Sequence, residues 1–434
     1  MTYQYVHTTT EIIKRDLNKQ ILRPYVRKYL YSLYNGFSNS NFGYNSLHKL
    51  SYNIKEFYDN LYSNEELIID SGGYSAIVGD INPRDISKFI ECYSYFLEYH
   101  NDNLDYIMSL DIPIMLEYPM YNTYEYIRNV NFKSYGESKK ILDQKEELYK
   151  KFLFVWHFKL HKQFKIWKDI YNTFFSNNKI NHHAIGGLVS LRGITGIKFS
   201  PFIGPVYRCL KLIENNEYQN SLIHILGVYG RHDRLFMQII NDLFNDYYLK
   251  DKNKSIDITF DTINYTISGL FRIRDLPLIQ LLKSKSLLQS ESKTYEYLEK
   301  FVPNKQVLKQ IMIEIDNIKK GKQIQNTRLL SLTYVIYSSI LDRMMQKFIK
   351  EENIVELLIK NPDYNKLKNK VLPLIYKAGK QFPFAFANLD RQILSNFYWL
   401  TNFHRSYIDG AGIDRIDKGI EHFIDAIKFP FDLN

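Results

Sequence analysis

Residues 67–74 read Leu67-Ile68-Ile69-Asp70-Ser71-Gly72-Gly73-Tyr74. The apolar run has the composition of a short buried strand, and it stops at once in an acid, a hydroxyl and two glycines. Glycines at such a stop let backbone come close to a ligand, because they carry no side chain and tolerate positive φ. An acid at the C-terminal end of a strand is where α/β enzymes place catalysis. Taken alone, the stretch fits an ordinary turn equally well, so its meaning depends on its surroundings.

Upstream, Ile54–Tyr62 has helical spacing and leads into this strand. The aromatic-rich first fifty residues offer Tyr3–His7 and Tyr29–Tyr34 as earlier strands. Downstream, Pro83 suits the first turn of a helix running to about His100, since the donor it lacks is orphaned there anyway. Strands are expected at Leu104–Leu110, Phe152–Phe158, His183–Ile185, Ser221–Leu226 and Ile256–Phe260. Helices are expected between them at Tyr124–Val130, Gly136–Lys151, Lys162–Phe175, Pro201–Ile213 and Leu235–Tyr248. Strict alternation of this kind implies right-handed crossovers and a parallel sheet. With the two early strands the count fits an α/β fold of the TIM-like (β/α)8 barrel type over residues 1–284; an open doubly wound sheet is the competing architecture. Beyond residue 284 only helical spacing remains, at Tyr295–Phe301, Gln306–Lys319, Leu329–Glu351 and Ile354–Ile359. Residues 285–434 are therefore expected to form an additional, mostly helical C-terminal region. Its aromatic clusters, Phe382–Phe386 and Phe397-Tyr398-Trp399, read first as core and second as a base-stacking platform.

Composition narrows the function. The 434 residues carry 57 basic and 47 acidic side chains, a net charge of +10 that favours a polyanionic partner such as nucleic acid. Lysine-rich helices at 139–168 and 283–322 are candidate phosphate tracks, or simply solvated faces. No run is long enough to span a membrane. The N-terminal Met1-Thr2-Tyr3-Gln4-Tyr5 has no basic and apolar leader pattern, so no signal peptide is expected. The two cysteines, Cys92 and Cys209, supply no disulfide framework and suit a cytoplasmic setting. No cofactor is expected. His182-His183 is too little for a metal site and reads as loop; Arg231, His232 and Arg234 are either a phosphate grip or a solvated helix start.

In a parallel barrel all strand ends converge on one rim. Here they are Asp70-Ser71-Gly72-Gly73-Tyr74, Ser109-Leu110-Asp111, Val155-Trp156-His157, Ile185-Gly186-Gly187-Leu188, Leu226-Gly227-Val228 and Phe260-Asp261-Thr262. The rim would gather Asp70, Asp111, Asp261 and His157 around one cleft. Carboxylates so placed suit a reaction passing through positive charge, or a metal site. Each also has a plainer reading: Asp111 as a cap, Asp261 as a turn residue, His157 as a core histidine.

The order of these motifs resembles the tRNA-guanine transglycosylases. IIDSGGY is similar to their DSGGF/Y signature, and DYIMSLD to the strand carrying their base-recognising Asp. AIGGLVSL is similar to their AIGGLAVGE, HILGV to their YLMGV, and DITFDTINYTISG to their nucleophile strand DMFDCVxPTRxxR. The five matches cover roughly residues 65–270, in order. The resemblance implies that Asp261 is the nucleophile attacking the sugar C1′ and that Asp70 is the general acid/base. It implies that Asp111 and the Gly186-Gly187-Leu188 backbone bind the base, with Tyr74 and Leu226 sandwiching its ring. Ser71, Gly72, Gly73 and Gly227 belong to the same substrate-binding turns, and His157 stands where the family carries Gln.

Three departures set the chain apart. No cysteine follows Cys209, so the family's zinc subdomain is missing. The arginines of PTRxxR are replaced, with Tyr265, Thr266, Ile267 and Leu270 in that stretch. Ser75 stands for a Gln, and Leu191 or Arg192 for a Glu. Base and sugar chemistry are kept while the tRNA grip is lost, which resembles the 7-deazaguanine DNA transglycosylases of phages and bacteria. Those enzymes exchange guanine in DNA for a base such as preQ0 and so protect it from restriction. DNA is therefore the expected partner, with tRNA, or a non-catalytic nucleic-acid-binding barrel, as the alternatives.

Overall fold

The computed structural model describes residues 5–8, 26–34, 42, 44–73, 81–113, 118–157, 161–177, 180–186, 203–216, 218–227, 231–261, 277–302, 304–322, 327–381 and 390–409. Its centre is a parallel sheet of β1 (Tyr5–Thr8), β2 (Lys28–Ser32), β3 (Glu66–Asp70), β4 (Tyr106–Met108), β5 (Phe152–His157), β6 (His182–Gly186), β7 (Asn220–Ile225) and β8 (Ser255–Asp261). Neighbours in sequence are neighbours in the sheet, and β1 also pairs with β8 through Tyr5↔Phe260 and Val6↔Asp261, which curls the sheet round on itself. Between and around the strands lie α1 (Tyr44–Tyr58), α2 (Ile86–Tyr99), α3 (Tyr124–Gln144), α4 (His161–Phe174), α5 (Ile203–Asn215), α6 (Arg231–Leu243) and α7 (Pro277–Ser284). The α/β alternation read from the sequence is present.

Period-2 alternation sorts the strand residues into two cores. Leu30, Ile68, Met108, Leu153, Val155, Ala184 and Leu222 pack together inside the curl. Their sequence neighbours, among them Tyr29, Leu67, Ile69, Ile107, Phe154, Trp156, Ile185, Ile223 and Phe260, pack outward with the helices. The inside positions are polar at both ends. At the strand starts, Lys28 pairs with Glu66 and lies 3.2 Å from Asp257. At the strand ends stand Asp70, His157, Gly186 and Asp261, the opposite pole of the same inward-facing set.

Some expectations change in detail. One helix, α3, replaces the two expected at 124–130 and 136–151. Gly136 does not break it, since the glycine penalty of roughly 1 kcal/mol is small beside the burial of Ile127, Tyr135, Ile141 and Leu142 on one face. α1 begins ten residues before the expected Ile54. His182 and His183 are strand, not loop, and period 2 puts them on opposite faces. His182 accepts from the Leu222 N–H, while His183 meets the Trp156 indole on the helix side.

After α7 come α8 (Glu291–Glu299), α9 (Lys305–Lys319), α10 (Thr327–Glu351), α11 (Ile354–Lys360), α12 (Tyr364–Gln381) and α13 (Asp390–Asp409). They lean on α5 and α6. Arg234, expected as a phosphate grip or part of a solvated helix start, is buried; it pairs with Asp342 of α10 at 3.1 Å and lies 4.8 Å over the Phe260 ring. Phe397 and Phe403 are fully buried, and Tyr398 remains half exposed at the edge of Tyr364. Residues 382–386 lie outside the described residues. Lys139 and Lys140 pair within their own helix with Asp143 and Glu137, as a solvated face does. Among the described residues no helix is long and apolar enough to cross a membrane.

Candidate active site

Each strand-end side chain is positioned by a specific local device. Asp70 closes β3, where its carboxylate accepts the Gly72 N–H at 3.2 Å and a hydrogen bond from the Ser32 side chain on the neighbouring strand. Gly72 has φ +89°, and a Cβ there would collide with the Tyr34 side chain. A Cβ at Gly73 would collide with the Asp111 carbonyl. These two glycines are thus required by packing within the protein, so the ligand-approach reading is not needed to account for them. Ser71 is buried between them and the strand.

Asp111 follows β4 in an irregular segment that helix side chains hold in place. Asn131 of α3 bonds both the N–H and the carbonyl of Ile112, at 2.8 Å each. Ser134 donates to the Leu110 carbonyl at 2.7 Å, and Tyr93 of α2 to that of Met108 at 2.7 Å. These buried bonds serve a stretch that has left the sheet ladder, where unpaired backbone would be costly. The Asp111 carboxylate is buried and meets His157 Nε2. His157, at the end of β5, rests on Trp167 with ring centroids 5.2 Å apart. Gly186 on β6 makes room for it: a Cβ at that position would lie 2.9 Å from the imidazole.

Asp261 ends β8 and is buried. Its Oδ1 accepts the Gly227 N–H at 3.0 Å and lies 3.3 Å from His224 Nε2. Gly227 sits at φ +73°, the turn that aims its N–H back at β8. Leu226 is half-buried against the inner core, its N–H bonded to the Ile185 carbonyl. Tyr74, Gly187 and Leu188 lie outside the described residues.

The three carboxylates share one electrostatic neighbourhood. Burial raises the Asp70 pKa to about 6; the Asp261 and Asp111 charges push the same way, against the hydrogen bonds from Gly72 and Ser32. A carboxyl group in that range can hold a proton near neutral pH and give it up again. Asp261 is held at Oδ1 by the Gly227 N–H, with the His224 ring beside the same oxygen. The ends of β3 and β8 therefore present two carboxyl groups in different environments, the pattern by which paired carboxylates can divide roles.

No protein-family model and no curated protein matches the chain. Among the described residues no group of three metal-ligating side chains could hold an ion.

Two residues at the site escaped the sequence reading, His224 and Thr259. Both sit inside their strands, in otherwise largely apolar runs. Their signal was available in the parity of SLIHIL and DITFD, which aligns His224 with Leu222 and Leu226, and Thr259 with Asp261.

Proposed function

We propose that the chain is a (β/α)8 base-exchange enzyme of the transglycosylase type, acting on guanine in DNA and inserting a 7-deazaguanine such as preQ0. The supporting observation is the convergence of Asp70 and Asp261 at the ends of β3 and β8, close enough for the Asp261 charge to bear on Asp70. A free Asp261 oxygen attacks C1′ as the C1′–N9 bond breaks. Guanine leaves with the proton that Asp70 supplies at N9, and the sugar is held as an ester. The incoming base then gives its N9 proton to Asp70, attacks C1′ and releases the Asp261 carboxylate. Asp111 accepts N–H groups from the base edge, and its pairing with His157 replaces the partner that Gln provides in the resembling family. A stacked base must be flipped out to reach this cleft. The net charge of +10 supports a nucleic-acid substrate.

The test is direct. Protein is incubated with guanine-containing duplex DNA, or with tRNA, plus preQ0, and the nucleosides are read by mass spectrometry. The expected result is a 7-deazaguanine nucleoside in DNA that is lost in Asp261→Ala. Incorporation into tRNA alone would move the substrate. Binding without incorporation into either would leave a non-catalytic nucleic-acid-binding barrel.

A further inference from the structure

A buried side chain beside the candidate nucleophile, that of His224, has no part in the base-exchange scheme. His224 is the last residue but one of β7, wholly shielded from solvent. Its Nδ1 is 2.9 Å from Thr259 Oγ1 on the adjacent strand, and its Nε2 is 3.3 Å from Asp261 Oδ1. The register pairs His224 directly with Thr259, two residues before Asp261 on the same face. An ionised carboxylate can only accept, so a hydrogen bond from His224 to Asp261 requires the tautomer with its proton on Nε2.

We infer that His224 is a positioning residue which, with the Gly227 N–H, anchors Oδ1 of Asp261 and leaves Oδ2 as the attacking oxygen. This rests on the base-exchange reading for its chemical meaning. Two donors on one oxygen fix the carboxylate's rotation and present the second oxygen to the cleft. In the ester intermediate, Oδ2 is bonded to C1′ and Oδ1 becomes the carbonyl oxygen. When the incoming base attacks C1′, the C1′–Oδ2 bond breaks and its electron pair returns to the carboxylate. Negative charge then develops on Oδ1 where the His224 and Gly227 donors already point, which lowers the barrier to release. His224 keeps its proton throughout. The residue therefore acts on both displacements, through Asp261, without touching the sugar or the base.

The anchoring and the chemistry are tested separately. With 15N-histidine incorporated, the long-range proton–nitrogen spectrum is recorded for the wild-type protein, for Asp261→Asn and for His224→Gln, which identifies the His224 signals. We expect Nε2 to carry a proton and its signal to move in Asp261→Asn. A bare Nε2 with the proton at Nδ1 overturns the inference, whatever the activity. In the exchange assay, His224→Phe should lower kcat by roughly 10²-fold with KM little changed, the size of effect seen on removing one such donor. His224→Gln, which keeps an N–H near the same place, should recover part of it. Unchanged kcat in a folded His224→Phe protein overturns the inference as well. If the wild-type protein exchanges no base while Nε2 is protonated and responds to Asp261→Asn, the base-exchange reading fails and the anchored carboxylate stands.

Discussion

At Asp70 the fold keeps a carboxyl group where its charge is unwelcome, and the sign of the consequence can be worked out. The folded pKa is about 6, raised chiefly by burial, and an unfolded Asp titrates near 4. Between these values the native protein binds a proton that the unfolded chain has released. Stability should therefore fall as pH rises from about 4 to about 6, then level off with a penalty of up to about 3 kcal/mol. Asp70→Asn keeps an oxygen for the Gly72 N–H and removes the charge. The variant should be more stable than wild type at pH 8 by that order, and indistinguishable from it below pH 4. Denaturant unfolding at the two pH values checks this. Equal stabilities at pH 8 would mean that Asp70 is better solvated than its setting indicates. The same variant should have no base exchange, making Asp70 a position where function is maintained at the expense of stability.

At the scale of elements, the Arg234–Asp342 pair joins α6 to α10, with Gln346 donating to Gln238 one turn further along. Both ions are largely withdrawn from water, and burial raises the Asp342 pKa against the guanidinium that lowers it. Arg234→Met removes one partner and leaves a carboxylate in a poor place. The expected loss is roughly 2–4 kcal/mol, at the lower side of the range for a buried pair because Asp342 keeps some exposure. Adding Asp342→Leu should restore much of it. Unfolding free energies of both single variants and the double variant would show the coupling, and simple additivity would contradict it. This pair also marks the limit of what the sequence discloses. Strand ends were legible where an apolar run stops in a polar residue, a local signal, so Asp70, His157 and Asp261 do end β3, β5 and β8, whereas Asp111 lies three residues beyond the end of β4. Arg234 offered only a phosphate grip or a solvated helix start because its burial depends on a helix more than a hundred residues away. His224 and Thr259 were hidden because attention to strand ends passes over polar residues inside an apolar strand. Gly72 and Gly73 were seen, but their role against Tyr34 and Asp111 is tertiary and leaves no trace in the local pattern.

For the whole molecule, the question is whether residues 1–284 are complete without the helices that follow. In an isolated barrel the outer faces of α5 and α6 meet water. Here Tyr207 of α5 packs edge-on against Phe403, and Phe244, just past α6, does the same. Tyr248 stacks on Tyr407 at 3.9 Å between centroids and is bonded to His404. Phe244 and Tyr207 are almost wholly buried, Tyr248 nearly so. Exposing three such rings costs about 1.5–3 kcal/mol each. The loss of Asp342 beside buried Arg234 adds a further few kcal/mol. The total is comparable to the roughly 5–15 kcal/mol that stabilises an ordinary domain. A chain ending at residue 284 is therefore expected to be poorly soluble, to bind a hydrophobic dye, and to melt without a cooperative transition. Differential scanning calorimetry against the full chain checks this. A truncated protein melting cooperatively at the full-length temperature would show that the C-terminal helices cover a barrel able to stand alone. Its loss of structure would make them part of the folding unit, holding β7 and β8, and with them Asp261, in place from the outside.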